Sequence, residues 1–393
     1  FGSPTRANPD LSPDGTRLAY MAPVEGVMNL WVRTVGQADD RALTSDRGRG
    51  IMGYFWAPNG EQLLYIQDKN GDENWHIYSV PAAGGEARDL TPIDGVQAQI
   101  FAVEKTVPDQ ILIGLNDRDP QLHDVYRLDL RTGERTLELQ NDVTALGWEI
   151  DHDLKIRLAM SPTPEGGFLL LKRDGDAWTE WLRVPPEDAL STHPVGFTAD
   201  NRTVYLVSSI GVNAAELRAY DLETGESKVI ASDPKYDISN ILRHPRTYAV
   251  QAVEFDRDRS EWQVLDPEVA PHFEALRKLN PRDFGLTSRD HEGRTWTVAF
   301  SQDRGPVEFY AYDTKTKQAT YLFPHRPELQ GLPLAEMKPV QYTARDGLVI
   351  HGYLTTPVGV EPKGLPVVIN VHGGPWYRDS WGFHPEAQWL ANR

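Results

Sequence analysis

Four consecutive residues near the C-terminal end, His372, Gly373, Gly374 and Pro375, follow the apolar run Leu365-Pro366-Val367-Val368-Ile369-Asn370-Val371. A β-prone run that empties into paired glycines leaves backbone N–H groups free at the strand end. There they can hold the oxyanion that forms when an acyl carbonyl is attacked. Glycine suits the position because the backbone must approach the reacting carbonyl with no Cβ in the way. Gly374 is therefore the candidate catalytic donor. Such a hole serves a nucleophile, and no strand-turn-helix that could present one occurs before Arg393. His372 reads as a residue that fixes the turn, because the histidine base of this arrangement comes after its nucleophile in chain order.

Other groups near the turn could meet a substrate. Trp376 could line a cavity or pack the end of the strand. Arg378 beside Asp379 could clamp a carboxylate or form a local ion pair. His123, His152, His193 and His244 show no metal-ligand spacing with nearby carboxylates, so no metal and no cofactor is expected. The chain has no cysteine, which removes disulfides, thiolate metal sites and a cysteine nucleophile together.

Composition narrows the partners. Forty Lys and Arg against 57 Asp and Glu give a net charge of −17, which argues against a nucleic-acid partner. No run of eighteen apolar residues exists, so no membrane-spanning helix is expected. The chain opens on Phe1 rather than Met. The cytoplasm is the expected compartment, with the periplasm or secretion left open.

The elements that must position these groups are β-rich and repeated. Ser12-Pro13-Asp14-Gly15 precedes Leu18-Ala19-Tyr20, Ala57-Pro58-Asn59-Gly60 precedes Leu63-Leu64-Tyr65, and Thr198-Ala199-Asp200-Asn201 precedes Val204-Tyr205-Leu206. Gly15 to Gly60 is 45 residues, and Gly60 to Asn201 is 141, three times 47. A second turn recurs at Gly85-Glu86, Gly133-Glu134 and Gly225-Glu226; the 92 residues between the last two, added once more, reach Lys317. Leu43-Thr44 and Leu90-Thr91 also lie 47 apart. Asp-Gly and Asn-Gly between β-prone runs signal hairpins. A period near 47 made of short strands predicts a β-propeller over residues 1–330, with seven four-stranded blades and alternating burial along each strand. Blades near 145–185 and 240–280 are degenerate, so six or eight blades stay open, and residues 273–279 could add a short helix. A β-sandwich with coincidental turn spacing is the competing fold.

Four prolines between 324 and 339 interrupt regular structure, and residues 331–339 read as a linker. Residues 340–393 then give a hairpin around Arg345-Asp346-Gly347, a strand at 365–371, the glycine turn and a helix from Pro385. Two hairpin strands, one strand and one helix cannot bury a core alone. A further polypeptide or a continuation of the chain is expected to complete the sheet.

These residues resemble the prolyl oligopeptidase family of serine peptidases, most closely its bacterial acylaminoacyl-peptidase and dipeptidyl-aminopeptidase-like branch. The resemblance rests on Ser12-Pro13-Asp14-Gly15, Asn29-Leu30-Trp31-Val32, Gly71-Asp72-Glu73-Asn74-Trp75-His76, Asn116-Asp117-Arg118-Asp119, Arg345-Asp346-Gly347 and, above all, residues 372–382. It implies a mainly β chain, a propeller followed by the first strands and helix of an incomplete α/β-hydrolase domain. A Ser-Asp-His triad would lie beyond Arg393, with Gly374 in its oxyanion hole, and the fragment alone would be inactive. The implied substrates are short peptides, gated by the propeller, and a homo-oligomer is compatible. Acidic residues on the propeller side bind the substrate ammonium in some relatives, which makes Glu73 a candidate contact beside Trp376 and Arg378. Equally, Asp72 and Glu73 could be a solvated hairpin tip. Arg47, Arg49 and Arg118 could instead meet an acyl or carboxylate end. A non-catalytic peptide-binding propeller and an esterase on the same fold are the alternatives.

Overall fold

A computed structural model describes residues 2–374 and 376–393. Seven antiparallel meanders follow one another between Ala7 and Pro324, each a separate sheet. Six have four strands and the sixth has three, Ile238–Arg243, Val250–Asp256 and Ser260–Val264. Helix α1 (Ala270–Leu279) follows that third strand, where a fourth was expected. Phe273 and Leu276 on its inner face are fully buried, and Phe273 sets its ring edge against Trp262 and Phe284. The inserted helix was legible in the sequence, but the missing strand of this blade was not.

The repeated turns are equivalent in three dimensions. Gly15, Gly60 and Asn201 all adopt left-handed backbone, at φ +73°, +70° and +57°, between the first and second strands of their blades. Gly133, Gly225 and Lys317 do the same between third and fourth strands, at +77°, +75° and +56°. Each of these three donates its N–H to the carbonyl four residues back, on Asp129, Asp221 and Asp313. Leu43-Thr44 and Leu90-Thr91 match as well. Leu43 and Leu90 donate to the carbonyls of Leu30 and Ile77, and the Thr44 and Thr91 hydroxyls accept the N–H of the same two residues at 2.9 Å. A threonine hydroxyl thus extends the ladder where the short fourth strand stops.

Burial does not alternate along every strand as expected. The second strands are buried almost continuously, as at Leu18-Ala19-Tyr20-Met21-Ala22, Leu63-Leu64-Tyr65 and Ile111-Leu112-Ile113. Each sheet lies between two neighbours, so both faces of its second strand are covered. The ring closes without a shared strand among the described residues, since the first sheet holds only residues 7–42 and the last only 283–324. Leu11, Leu18, Tyr20, Phe309 and Phe323 form the apolar seam between these two blades. Leu11 N–H donates to Ser288 Oγ at 2.9 Å, and His291 N–H donates to the Pro13 carbonyl at 2.9 Å.

After the last blade, a hairpin pairs Met337–Thr343 with Val349–Thr355. It opens within the stretch read as linker. Helix α2 (Pro385–Ala391) begins at His384, whose Nδ1 accepts the Ala387 N–H. The Gln388 amide holds α2 to the linker, accepting from Ala335 N–H at 2.8 Å and donating to the Ala335 carbonyl at 2.7 Å. Residues 365–371 form no strand, contrary to expectation, and Val367, Val368, Ile369 and Val371 are 65–82% exposed. A strand needs a ladder partner, and no described strand pairs with this run.

Candidate functional site

Alternating strand direction brings every connection between second and third strands to one mouth of the propeller. The C-terminal segment sits on that mouth, at the second-to-third connections of blades six and seven. Met337 N–H donates to Asp303 Oδ2 at 2.8 Å, and the Tyr353 hydroxyl donates to the Asp258 carbonyl at 3.1 Å.

Glu73 belongs to the corresponding connection of blade two. Its backbone is fixed in the left-handed region at φ +60°. Its N–H donates to Asp68 Oδ2 at 3.2 Å and its carbonyl accepts from Gln97 Nε2 at 3.0 Å. Asp68 is buried and salt-bridged to Arg49 at 2.5 Å, and the Arg49 guanidinium lies 5.8 Å from the centre of the Trp75 ring. The residue itself stays exposed. Beside it, Arg49, Asp68, Asp72, His76 and Asp89 line a polar cavity of about 470 Å³. Arg49 is therefore tied to an internal carboxylate. Arg118 is tied more firmly, by two bonds to Asp124 at 2.7 and 2.8 Å, while Arg47 makes an exposed pair with Glu25 at 3.4 Å.

Gly374 has φ +133°, and a Cβ added there would lie 2.8 Å from the Trp376 nitrogen. Only glycine fits that turn without displacing its backbone. The His372 Nδ1–H donates to the Gly373 carbonyl at 2.9 Å, and Trp376 is 80% exposed. Pro375 lies outside the described residues. Among the described contacts Arg378 makes no ion pair with the Asp379 carboxylate, its Nε–H donating instead to the Asp379 carbonyl at 3.3 Å. It donates to the carbonyls of Asp256 and Arg257, the latter at 2.9 Å, and its Nε lies 3.7 Å from the Asp256 carboxylate. Gly374, Trp376 and Arg378 therefore share one exposed turn, whereas Glu73 stands on another blade.

A second polar cluster spans several blades. His152 stacks on Tyr248 with ring centres 3.5 Å apart and shares a hydrogen bond with Glu104 at 2.9 Å. Tyr248 donates to the same Glu104 carboxylate at 3.3 Å. Glu104 precedes the second strand of blade three and Tyr248 that of blade six, so this contact reaches across the ring. Burial opposes the His152 charge, but the Glu104 bond and charge with the Phe197 carbonyl outweigh it and raise its pKa. Burial pushes the nearby Glu149 up to about 7, against the pull of Arg243. Single-sequence reading missed this cluster because no local spacing joins Glu104, His152 and Tyr248. Among the described residues no group of acidic, His or Cys side chains has metal-holding geometry, and no helix is long and apolar enough to cross a membrane.

No family model matches the chain. It is 40% identical over its whole length to dipeptidyl aminopeptidase BIII of Pseudoxanthomonas mexicana and 28% identical to dipeptidyl peptidase family member 6 of Caenorhabditis elegans. It spans 58% of the length of each of these relatives. Among solved structures, a prolyl endopeptidase superposes on 91% of the chain with a TM-score of 0.65 at 12% identity, the match covering 55% of that structure. With its ring of seven blades and its end-to-end likeness to a dipeptidyl aminopeptidase, the chain is similar to the N-terminal propeller region of the prolyl oligopeptidases.

Proposed function

We propose that the chain is the propeller and opening segment of a serine peptidase that hydrolyses short peptides of the dipeptidyl-aminopeptidase or acylaminoacyl-peptidase kind. The end-to-end 40% identity to a dipeptidyl aminopeptidase carries the reading. In the complete protein a serine held by a Ser-Asp-His triad attacks the scissile carbonyl, and Gly374 N–H stabilises the oxyanion. The exposed run 365–371 becomes a strand once the rest of the hydrolase sheet pairs with it. Glu73 and Trp376 border the substrate cavity, with Glu73 facing the peptide ammonium. Arg378 borders it from the turn beyond Gly374. The propeller restricts access to short substrates, and residues 1–393 alone are inactive.

The test uses the full-length polypeptide, propeller and complete hydrolase domain together. We expect labelling by a fluorophosphonate and cleavage of dipeptidyl or N-acylated peptide anilides, with neither from residues 1–393 alone. Glu73→Gln should raise KM for peptides with a free N-terminus by about tenfold, one ion pair's contribution in a partly dry cavity, and leave N-acylated peptides unchanged. A full-length protein inert to fluorophosphonate would exclude the peptidase reading.

A further inference from the structure

Residues 378–381, just after the glycine turn, meet the propeller at the short turn Asp256-Arg257-Asp258-Arg259, which joins the second and third strands of blade six. Arg378 lays two guanidinium nitrogens on consecutive carbonyls of this turn, those of Asp256 and Arg257. Ser380 donates its hydroxyl to the Asp256 carboxylate. Arg259, held bidentately by Asp283 at 2.7 and 2.8 Å, lies over the Trp381 ring with its guanidinium carbon 3.4 Å from the ring centre. The same indole donates Nε1–H to the Met337 carbonyl at 2.8 Å. The blade-six turn is itself braced, because Arg257 pairs with Asp233 at 2.7 Å and Glu261 at 2.6 Å.

We propose that the Asp256–Arg259 turn is a latch that positions the oxyanion glycine, with Arg378, Ser380 and Trp381 as its catch. Gly374 lies only four residues before Arg378. The run on the other side of the glycines is exposed and unpaired, so the catch fixes the end of the turn that the sheet does not. An oxyanion donor is effective only where it meets the developing charge, and a misplacement of about 1 Å costs about 100-fold in rate. A bidentate guanidinium on two carbonyls sets direction as well as distance, which a lysine cannot do. Arg378 is thus a positioning residue whose donors are already engaged, and the propeller supports catalysis through it as well as by gating.

The inference rests on the peptidase reading, and its test separates the two. Arg378→Ala and Arg378→Lys are made in the full-length protein, with Asp256→Asn as a milder variant that keeps an acceptor and folds if Arg378→Ala does not. Three readouts are taken: kcat and KM on a dipeptide anilide and on p-nitrophenyl acetate, the rate of fluorophosphonate inactivation, and amide hydrogen exchange across residues 372–382. The latch predicts a kcat fall of about 10- to 100-fold on both substrates for Arg378→Ala, with KM within about twofold. Inactivation slows in parallel, exchange across 372–382 accelerates, and Arg378→Lys stays impaired. Asp256→Asn shows the same pattern more weakly. Unchanged exchange, full rescue by lysine, or a rise in KM confined to the peptide substrate would overturn the latch. A wild-type protein inert to fluorophosphonate overturns the peptidase reading instead, and exchange still reports on the latch.

Discussion

At the residue scale, the glycine turn and the buried carboxylates make the sharpest claims. Gly374→Ala places a Cβ against the Trp376 nitrogen at φ +133°, which the turn can relieve only by moving the N–H proposed as oxyanion donor. In the full-length protein we expect kcat to drop by about 100-fold, the loss typical of one oxyanion donor, with the circular dichroism of the propeller unchanged. A drop below threefold would remove Gly374 from the site. Glu149 makes a claim about pH. Its carboxyl is raised from 4.5 to about 7 mainly by burial, with Arg243 and His152 pulling it down and Glu104 pushing it up. A raised folded-state pKa means the native protein holds a proton that the unfolded chain has released. Its stabilising contribution is complete below pH 4.5 and is lost as pH rises through about 7. His152, raised by Glu104, adds in the same direction. Glu149→Gln should therefore stabilise the protein at pH 8 by roughly 3 kcal/mol and leave it unchanged at pH 4, read from thermal unfolding at both pH values. A variant no more stable at pH 8 would show that Glu149 is ionised without penalty. Gly374 and Glu73 could be singled out because motif and charge mark them locally. Glu104, His152 and Tyr248 could not, because only ring closure brings them together.

Elements show the same division between local and assembled information. Turn chemistry is local, so the sequence places the left-handed residues of successive blades, even where Asn201 and Lys317 replace glycine. Burial depends on what lies against each face. The second strands are near-continuous apolar runs, as at Leu18-Ala19-Tyr20-Met21-Ala22, and the neighbouring blades close both of their faces. The 365–371 run shows the converse: its residues favour a strand, yet propensity without a ladder partner leaves it irregular and exposed. Helix α1 replaces a strand because its apolar face covers the end of blade six, where Phe273 meets Trp262 and Phe284. Phe273→Ala empties a fully buried site and should cost about 3–5 kcal/mol, measured by urea denaturation. A loss below 1 kcal/mol would mean that the helix decorates blade six rather than completing its core.

The whole molecule carries one tension, between a closed ring and an open sheet. All seven blades lie between Ala7 and Pro324, and the seam of Leu11, Tyr20, Phe309 and Phe323 closes them within that span. The segment beyond it exposes Val367, Val368, Ile369, Val371, Trp376 and Tyr377 together, each at 65% or more. A contiguous apolar surface of this kind marks an interface, and an unpaired β-prone run is a ready template for association. The net charge of −17 opposes association at low salt. Residues 1–393 expressed alone should therefore bind 8-anilinonaphthalene-1-sulfonate and self-associate, and more so between 0.05 and 0.5 M NaCl, because screening at about 0.15 M already shortens the reach of charge to about 8 Å. Residues 1–336 keep every blade and lose the apolar run, so they should sediment as a monomer at both salt concentrations. If both polypeptides stay monomeric and dye-silent, the exposed run is not an interface, and the strand proposed for the complete hydrolase sheet must be sought elsewhere in the chain.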